Sequence, residues 1–455
     1  MWAAMFQVKS ICQDCPIQQS YQELLKRIEY LERTNKEQAA KISELESEIR
    51  KYKNPHTPPS AQRFKKNPPK QITSNKKGAP FGHKGATRQT PEPDEIIDIK
   101  ADFCESCNSY DLEIENVEST TIEDIPPPPK IKVTQYNVHF YKCRKCGHRF
   151  TAKDNNYTYP EEGRFGINLL IYVAMLKFSL RGVIRRIGDF AAAAISFVIS
   201  PKGLLDMLYR VAEACKAEYL RILGRIRTVE FVYVDETGMR VEAANQWLWI
   251  FRSNDEILVV IRPSRGSDVL KEILGENTDI ATINDGWSAY NIIAQLQRCW
   301  SHLLREVDDF IDKPGGRELS GIVHRKFNRL KLFLDKDPPM EERMLKKQIF
   351  DHEMEKLLKK FTNFKDLKKP LTYIKNGLGS WYTCVLFPGM EPTNNLGEQA
   401  MREHVLMRKI IGMFRSKKGA ENYQYIASMF ATWRLQGKDI FQELGTLLKK
   451  ELCVR

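Results

Sequence analysis

The chain has 455 residues, with 71 Lys and Arg against 58 Asp and Glu and a formal net charge of +13 at pH 7. At about 150 residues per domain this length allows roughly three domains, and a hydrophobic content of 42% is enough for a sizeable core. The excess of cations favours a polyanionic partner, most simply nucleic acid. No run approaches the ~18 apolar residues of a membrane helix, and the start, MWAAMFQVKSICQDCP, lacks the basic region and long apolar run of a secretory signal.

Six of the ten cysteines form three Cys-x-x-Cys pairs, and Cys215, Cys299, Cys384 and Cys453 are scattered. That pattern suits thiols and metal ligands in a reducing cytoplasm rather than a secreted disulfide framework. Cys12 and Cys15 have no second pair nearby and stay unassigned.

Residues 1–52 form an N-terminal extension and a helical zipper. From 21 to 52 a heptad pattern places Tyr21, Ile28, Asn35, Ile42 and Ile49 at a, and Leu24, Leu31, Gln38, Leu45 and Tyr52 at d. β-branched a and Leu d positions favour a parallel two-stranded coiled coil, whose register Asn35 would fix. A lone amphipathic helix packed on its own chain is the alternative. The segment 53–89 changes character. From 51 to 89 there are ten Lys or Arg, six Pro and no acid, a composition for a flexible arm on a phosphate backbone or for a solvated linker. Arg63, Lys65, Lys66, Lys76, Lys77 and Lys84 are its candidate phosphate contacts.

Residues 90–160 hold Cys104-x-x-Cys107, then 35 residues, then Cys143-x-x-Cys146. Two such knuckles supply the four thiolates of a tetrahedral structural zinc site. The strand-like KVTQYNVHFY before the second knuckle suggests a zinc ribbon. Residues 161–228 read as helical, with Pro201 placed to open the last helix and Ser200 to cap it. Two helices and a break allow a helix-turn-helix that binds DNA, or a plain packing domain.

From 229 to 455 the pattern is strand, strand, strand, helix, strand, helix, strand, the order of a ribonuclease H-like sheet. The elements are VEFVYVD, QWLWIF, ILVVIRP, SDVLKEIL, TDIATIND, SAYNIIAQL and QRCW. Asp235 would end the first strand and Asp285 the fourth. A Lys- and Glu-rich helical insertion spans about 303–390, and a helical region from near Pro392 contains Glu398. Cutting a polymer of phosphates with two divalent ions requires carboxylates distant in sequence to converge from rigid elements. Hard oxygen ligands suit Mg²⁺ or Mn²⁺. Glu236 points to the opposite strand face from Asp235, whereas Glu391 and Glu403 compete with Glu398. Arg402 shares a helical face with Glu398 and either pairs with it or holds a phosphate. His302 contacts a phosphate, tunes a ligand, or is structural. Trp247, Trp249 and Trp287 are read as core. Arg408, Lys409, Arg415, Lys417 and Lys418 extend the basic surface.

Segments from end to end resemble the insertion-sequence-66 family of DDE transposases. They are NPHTPPSAQ, GAPFGHKG, the paired knuckles, VDETGMRV with WLWIF, IRPSRGSDVLKEILG, INDGWSAYN, CWSHLLRE, PTNNLGEQAMRE, and RKIIGMFRSKKGAEN with ATWRLQGKDIFQEL. Two departures are GAPFGHKG, where the family commonly has a Gln-Pro-Gly core, and the Cys12/Cys15 extension. The resemblance implies a multidomain α/β protein: a ribonuclease H-like catalytic domain preceded by a coiled coil, a zinc-ribbon-like domain and a helical region. It implies Asp235, Asp285 and Glu398 as the catalytic acids; His302 and Arg402 stand beside them as candidate supporting residues from the residues alone. The acids would cut and join DNA with two Mg²⁺ or Mn²⁺ ions per site, beside a structural Zn²⁺. The implied partners are insertion-sequence ends, target DNA, a second copy through 21–52, and element-encoded helper proteins, on the nucleoid of a prokaryotic cytoplasm. A non-catalytic DNA-binding descendant and a ribonuclease H-like nuclease remain the alternatives.

Overall fold

The computed structural model describes residues 16–52, 92–122, 131–151, 160, 162–276 and 278–453. The Cys12/Cys15 pair and the basic segment with Arg63, Lys65, Lys66, Lys76, Lys77 and Lys84 lie outside them. The heptad segment falls in one helix, α1 (Pro16–Tyr52). Its a and d residues Leu24, Ile28, Leu31, Ile42 and Leu45 are exposed on the single chain.

The knuckle segment contains a short antiparallel hairpin, β1 (Phe140–Lys142) and β2 (Arg149–Thr151). The strand is therefore much shorter than KVTQYNVHFY suggests. Three helices follow: α2 (Ile167–Phe178), α3 (Ile184–Ile195) and α4 (Pro201–Ile226). Pro201 does open α4, where its missing N–H costs nothing, and Ser200 Oγ accepts the Gly203 N–H at 3.1 Å.

The rest of the chain builds a mixed α/β body. β3 (Phe231–Val241), β4 (Ala244–Arg252) and β5 (Ile257–Arg262) run as a meander. After α5 (Ser267–Leu274), the strands β6 (Ala281–Asn284) and β7 (Leu296–Arg298) are added parallel to β3. The sheet order is β5-β4-β3-β6-β7. Central position explains the unbroken apolar run of β3, in which Phe231, Val232, Tyr233 and Val234 are all buried. The β3–β4 connection is two residues, Glu242 and Ala243, with φ of 50° and 64°. A two-residue hairpin demands positive φ at both, and neither residue adopts it easily. Two hydrogen bonds hold the tip, from Glu242 N–H to Phe414 O at 2.9 Å and from Lys417 N–H to Glu242 Oε1 at 3.1 Å.

Three expectations need correction. β3 does not end at Asp235 but continues to Val241 as the hairpin's first arm. The segment SAYNIIAQL is only a 3-10 turn (Ser288–Ile292), because Leu296 is recruited to β7. Cys299 and Trp300 lie outside the last strand. Cys299 is the N-cap of α6 (Trp300–Asp308), so the helical insertion starts earlier than 303.

The insertion continues through α7 (Gly316–Leu334), α8 (Met340–Phe361) and α9 (Lys368–Lys375). Its core joins Phe231, Tyr233, Ala281 and Ile283 of the sheet to Trp300, Phe350, Trp381 and Tyr382. β7 would otherwise be a bare edge, a template for unwanted strand pairing. The insertion covers it: Arg298 N–H donates to Ser380 O, Thr383 Oγ1 to Leu296 O, and Cys384 N–H to Gln297 Oε1. Three further helices, α10 (Asn395–Ile411), α11 (Lys417–Leu435) and α12 (Ile440–Leu452), complete the chain. None of the helices among the described residues is long and apolar enough to cross a membrane.

Candidate active site

β3 and β6 pair in parallel with Phe231 opposite Ala281, Val232 opposite Thr282 and Tyr233 opposite Ile283. The same offset carried two residues further sets Asp235 beside Asp285. Side chains alternate across a sheet, so both carboxyls lie on the face of Phe231, Tyr233, Ala281 and Ile283, which the helical insertion covers. Asp285 follows β6 directly, and Gly286 (φ 90°) makes the turn. A Cβ there would come within 2.2 Å of the Arg298 guanidinium, so both conformation and space call for glycine. Trp287 N–H donates to Asp285 Oδ1 at 2.9 Å, which orients the carboxyl.

Glu398 lies in the first turn of α10, near enough to act on Asp235, although the three carboxyls are not drawn into one metal-sized cluster among the described residues. A short relay of buried bonds pins that turn to the sheet. Asn394 Nδ2 donates to Val234 O at 2.9 Å, one residue before Asp235. Asn394 N–H donates to Cys299 Sγ at 3.1 Å, while Cys299 N–H donates to Asn284 O at 2.9 Å, one residue before Asp285. Arg252 adds a bond to Leu396 O at 2.8 Å. Each acid is thus preceded by, or close to, a residue in one relay. Of the competing acids, Glu391 is exposed and bonded through its N–H to Tyr233 Oη. Glu403 is partly buried further along α10.

The electrostatics show what the cluster lacks. Burial pushes Asp235 well above the ordinary carboxylate range, and the Glu236, Asp285 and Glu398 carboxyls push it further, against the pull of the Glu236 N–H. Glu398 is raised first by burial and then by Asp285, with Arg305 and Arg402 opposing. Its Oε1 is buried and accepts no hydrogen bond. Carboxyls that raise one another's proton affinity could hold a divalent cation, whose charge would relieve them.

Glu236 is committed elsewhere. It is buried on the opposite face, 2.8 Å from Arg265 Nη2, and accepts the Tyr290 hydroxyl at 2.5 Å. Arg265 lies over the Trp247 and Trp287 rings, 4.7 and 4.2 Å from their centres. Trp249 is fully buried.

His302 is buried on α6, with Nδ1 3.8 Å from Glu398 Oε1. Arg402, one turn beyond Glu398, is exposed and acts on it electrostatically. Sequence reasoning missed Arg305, whose effect on Glu398 is larger. Its signal was the spacing of three from His302, which on a helix means one face. Cys299 was also missed. Burial raises its thiol to about 11.

The two knuckles share one backbone form. Asn108 N–H bonds Cys104 O and Gly147 N–H bonds Cys143 O, at 2.8 and 2.9 Å. The residue four after the first cysteine is left-handed in both, Asn108 at 57° and Gly147 at 75°. Backbone N–H groups of Cys107 and Cys146 lower the thiols of Cys104 and Cys143, as at a metal knuckle. The four sulfurs are not drawn into one cluster among the described residues.

Of the C-terminal cations, Arg408 and Lys409 lie in the last turn of α10, and Lys417 and Lys418 in the first turn of α11. Lys409, Arg415, Lys417 and Lys418 are exposed and Arg408 is half-buried.

The family model described as "Transposase IS66 family" matches residues 162–422, more than half of the chain, and spans all three acids. A protein of Sinorhizobium fredii (strain NBRC 101917 / NGR234), described as uncharacterized protein y4jD, is 21% identical over 407 residues. That alignment covers 80% of this chain and 77% of the relative.

Proposed function

The chain belongs to the IS66 family of transposases, and from that premise we propose that it cuts DNA at the ends of its insertion sequence and joins them to target DNA, with Asp235, Asp285 and Glu398 as the catalytic acids. The carrying observation is the parallel β3–β6 register, which sets Asp235 beside Asp285 where Glu398 also presses on Asp235. The strand order, an antiparallel meander followed by two parallel strands, supports a ribonuclease H-like reading of the sheet.

Asp235 and Asp285 would share one Mg²⁺ or Mn²⁺ ion and Glu398 would complete the shell of a second; the pair would activate the attacking oxygen and stabilise the leaving one. The protein's part is placement. Trp287 N–H orients Asp285, and the Asn394–Cys299 relay fixes the height of Glu398 against the sheet. Arg265 holds Glu236 on the far face, so that it does not compete as a ligand. Arg305 and Arg402 supply positive charge beside Glu398, where a scissile phosphate would lie.

The remaining parts fit a DNA-end complex. Lys417 and Lys418 sit at a helix N-terminus, where the helix dipole is already positive. This arrangement costs helix stability and suits a bound phosphate. With Arg408, Lys409 and Arg415 they position DNA without reading its sequence. α1 pairs two copies as a parallel coiled coil. The two knuckles close on one structural Zn²⁺.

The test is cleavage and strand transfer on DNA carrying the element's ends, with Mg²⁺ or Mn²⁺. Asp235→Asn and Glu398→Gln are expected to reduce both steps to background while DNA binding persists. Undiminished cutting by either variant would overturn the assignment. Preference for an RNA–DNA hybrid in the same assay would favour a nuclease instead.

A further inference from the structure

We propose that Cys299, His302 and Glu398 form a second, softer cation site beside the carboxyl cluster, one that takes a zinc-class divalent ion. One ligand atom from each lies within 4.8 Å of the other two, among residues that are buried or partly buried. Bonds of roughly 2.0–2.3 Å at tetrahedral angles place zinc ligands about 3.3–3.8 Å apart. His302 Nδ1 and Glu398 Oε1 are already 3.8 Å apart, and the remaining pairs lie within 4.8 Å, so closure needs shifts of about 1 Å or less.

The surroundings of the sulfur support the assignment. Cys299 is the N-cap of α6; its Sγ accepts the Asn394 N–H at 3.1 Å, and the nearby His302 and Ser301 N–H groups favour its thiolate. Converging N–H donors at a helix N-terminus stabilise a thiolate, as at structural metal sites. Burial, and after it the Glu398 carboxylate, favour the protonated thiol. Binding would form an S–metal bond, break the S–H bond and release the proton to solvent, with no change of oxidation state. On the other side of the site, Glu398 Oε1 is buried and accepts no hydrogen bond. Cys299 and His302 are spaced i, i+3, one helical turn apart, so the helix presents both to one point. Three protein ligands leave a fourth position open.

This donor set is unlike the Asp235–Asp285 pair. Thiolate and imidazole select zinc-class ions, whereas an all-carboxylate pair favours Mg²⁺ or Mn²⁺. Glu398 belongs to both groups. If the catalytic reading above holds, an ion bound here takes Glu398 from the second catalytic position, and zinc-class ions act as inhibitors. The site itself does not depend on that reading.

Cobalt(II) is the probe, because thiolate-bound cobalt absorbs strongly in the near ultraviolet. Metal-stripped full-length protein is titrated and compared with Cys299→Ser, His302→Gln and Glu398→Gln, each checked for folding by circular dichroism. The expected result is one fewer thiolate-bound cobalt per chain for Cys299→Ser, and at least about tenfold weaker binding of that ion for the other two. Thiolates of the knuckles contribute equally to all four proteins and cancel. If Cys299→Ser misfolds, the other two variants carry the comparison. Asp235→Asn must keep the extra ion. Should it be lost there, or should all three ligand variants bind cobalt as the parent does, the site is refuted. Because Asp235→Asn abolishes the proposed catalysis but not this binding, failure of one proposal is distinguishable from failure of the other.

Discussion

Arg265→Ala removes the partner of a carboxyl that is almost inaccessible to water. The Glu236 side chain is 2% exposed, its charge partner lies at 2.8 Å, and the Asp285 carboxyl is close enough to oppose its ionisation. Breaking one side of such a pair costs about 3–5 kcal/mol. The Trp247 and Trp287 ring contacts add about 1–2 kcal/mol together. Arg265 is 24% exposed, so water screens part of the first figure. A net loss of about 3–4 kcal/mol is expected in urea unfolding followed by circular dichroism. Adding Glu236→Gln removes the stranded charge, and the double variant should recover roughly 2 kcal/mol of that loss. The pH dependence has a definite sign. Burial, then Asp285, raise the Glu236 carboxyl, and losing Arg265 raises it further. An acid raised on folding destabilises the protein above its folded value, and the penalty fades as pH falls toward the unfolded value of about 4.3. The deficit of Arg265→Ala should therefore shrink between pH 7 and pH 5. A single variant within about 0.5 kcal/mol of the parent, or a double variant no more stable than the single, would refute the reasoning.

Three further outcomes are expected. Asp235→Asn removes one charge from the mutually repelling carboxyls, so in metal-free buffer it should melt above the parent; it should also lose most of the Mg²⁺-induced gain, which is about 2.7 kcal/mol when Mg²⁺ is at a hundred times its dissociation constant. Equal Mg²⁺ responses by differential scanning fluorimetry would contradict the metal assignment. Asn394→Ala leaves the Val234 carbonyl without its side-chain donor and should cost about 1–3 kcal/mol in chemical denaturation; it should weaken Mn²⁺ binding as well, and unchanged calorimetric affinity would show that the relay does not set the position of Glu398. Ala243→Gly relieves a left-handed alanine at the β3–β4 turn, and a gain of about 0.5–1 kcal/mol is expected from thermal unfolding.

Much of the molecule could be read before the coordinates. The apolar run FVYV, the apolar strands after it and the SP pair opening α4 are local signals, and each of these elements formed where its residues indicate. Asp285-Gly286 was legible as a turn because the left-handed position falls on glycine. SAYNIIAQL was not. Its Tyr290, Ile293 and Leu296 repeat every three residues like a helix face, but pairing with β6 claims Leu296 and cuts the helix to one 3-10 turn. Cys299 gave no sequence signal beyond its own identity. Its meaning comes from Asn394, 95 residues later, whose N–H it accepts. Glu398 could be chosen over Glu391 and Glu403 only through motif likeness, since its position depends on packing across the whole insertion. In α1 the helix was plain from the heptads, whereas the occupant of its exposed apolar stripe is a property of assembly and not of one chain.

The order in which the three acids occur along the chain has a consequence during synthesis. Asp235 and Asp285 leave the ribosome close together, on neighbouring strands of one sheet. The helices α6 to α9 must then be made before α10 delivers Glu398. At roughly 5–20 residues per second, that interval lasts several seconds or more. Throughout it the nascent protein displays two of the three proposed acids, and on that reading a prematurely released chain carries no finished site.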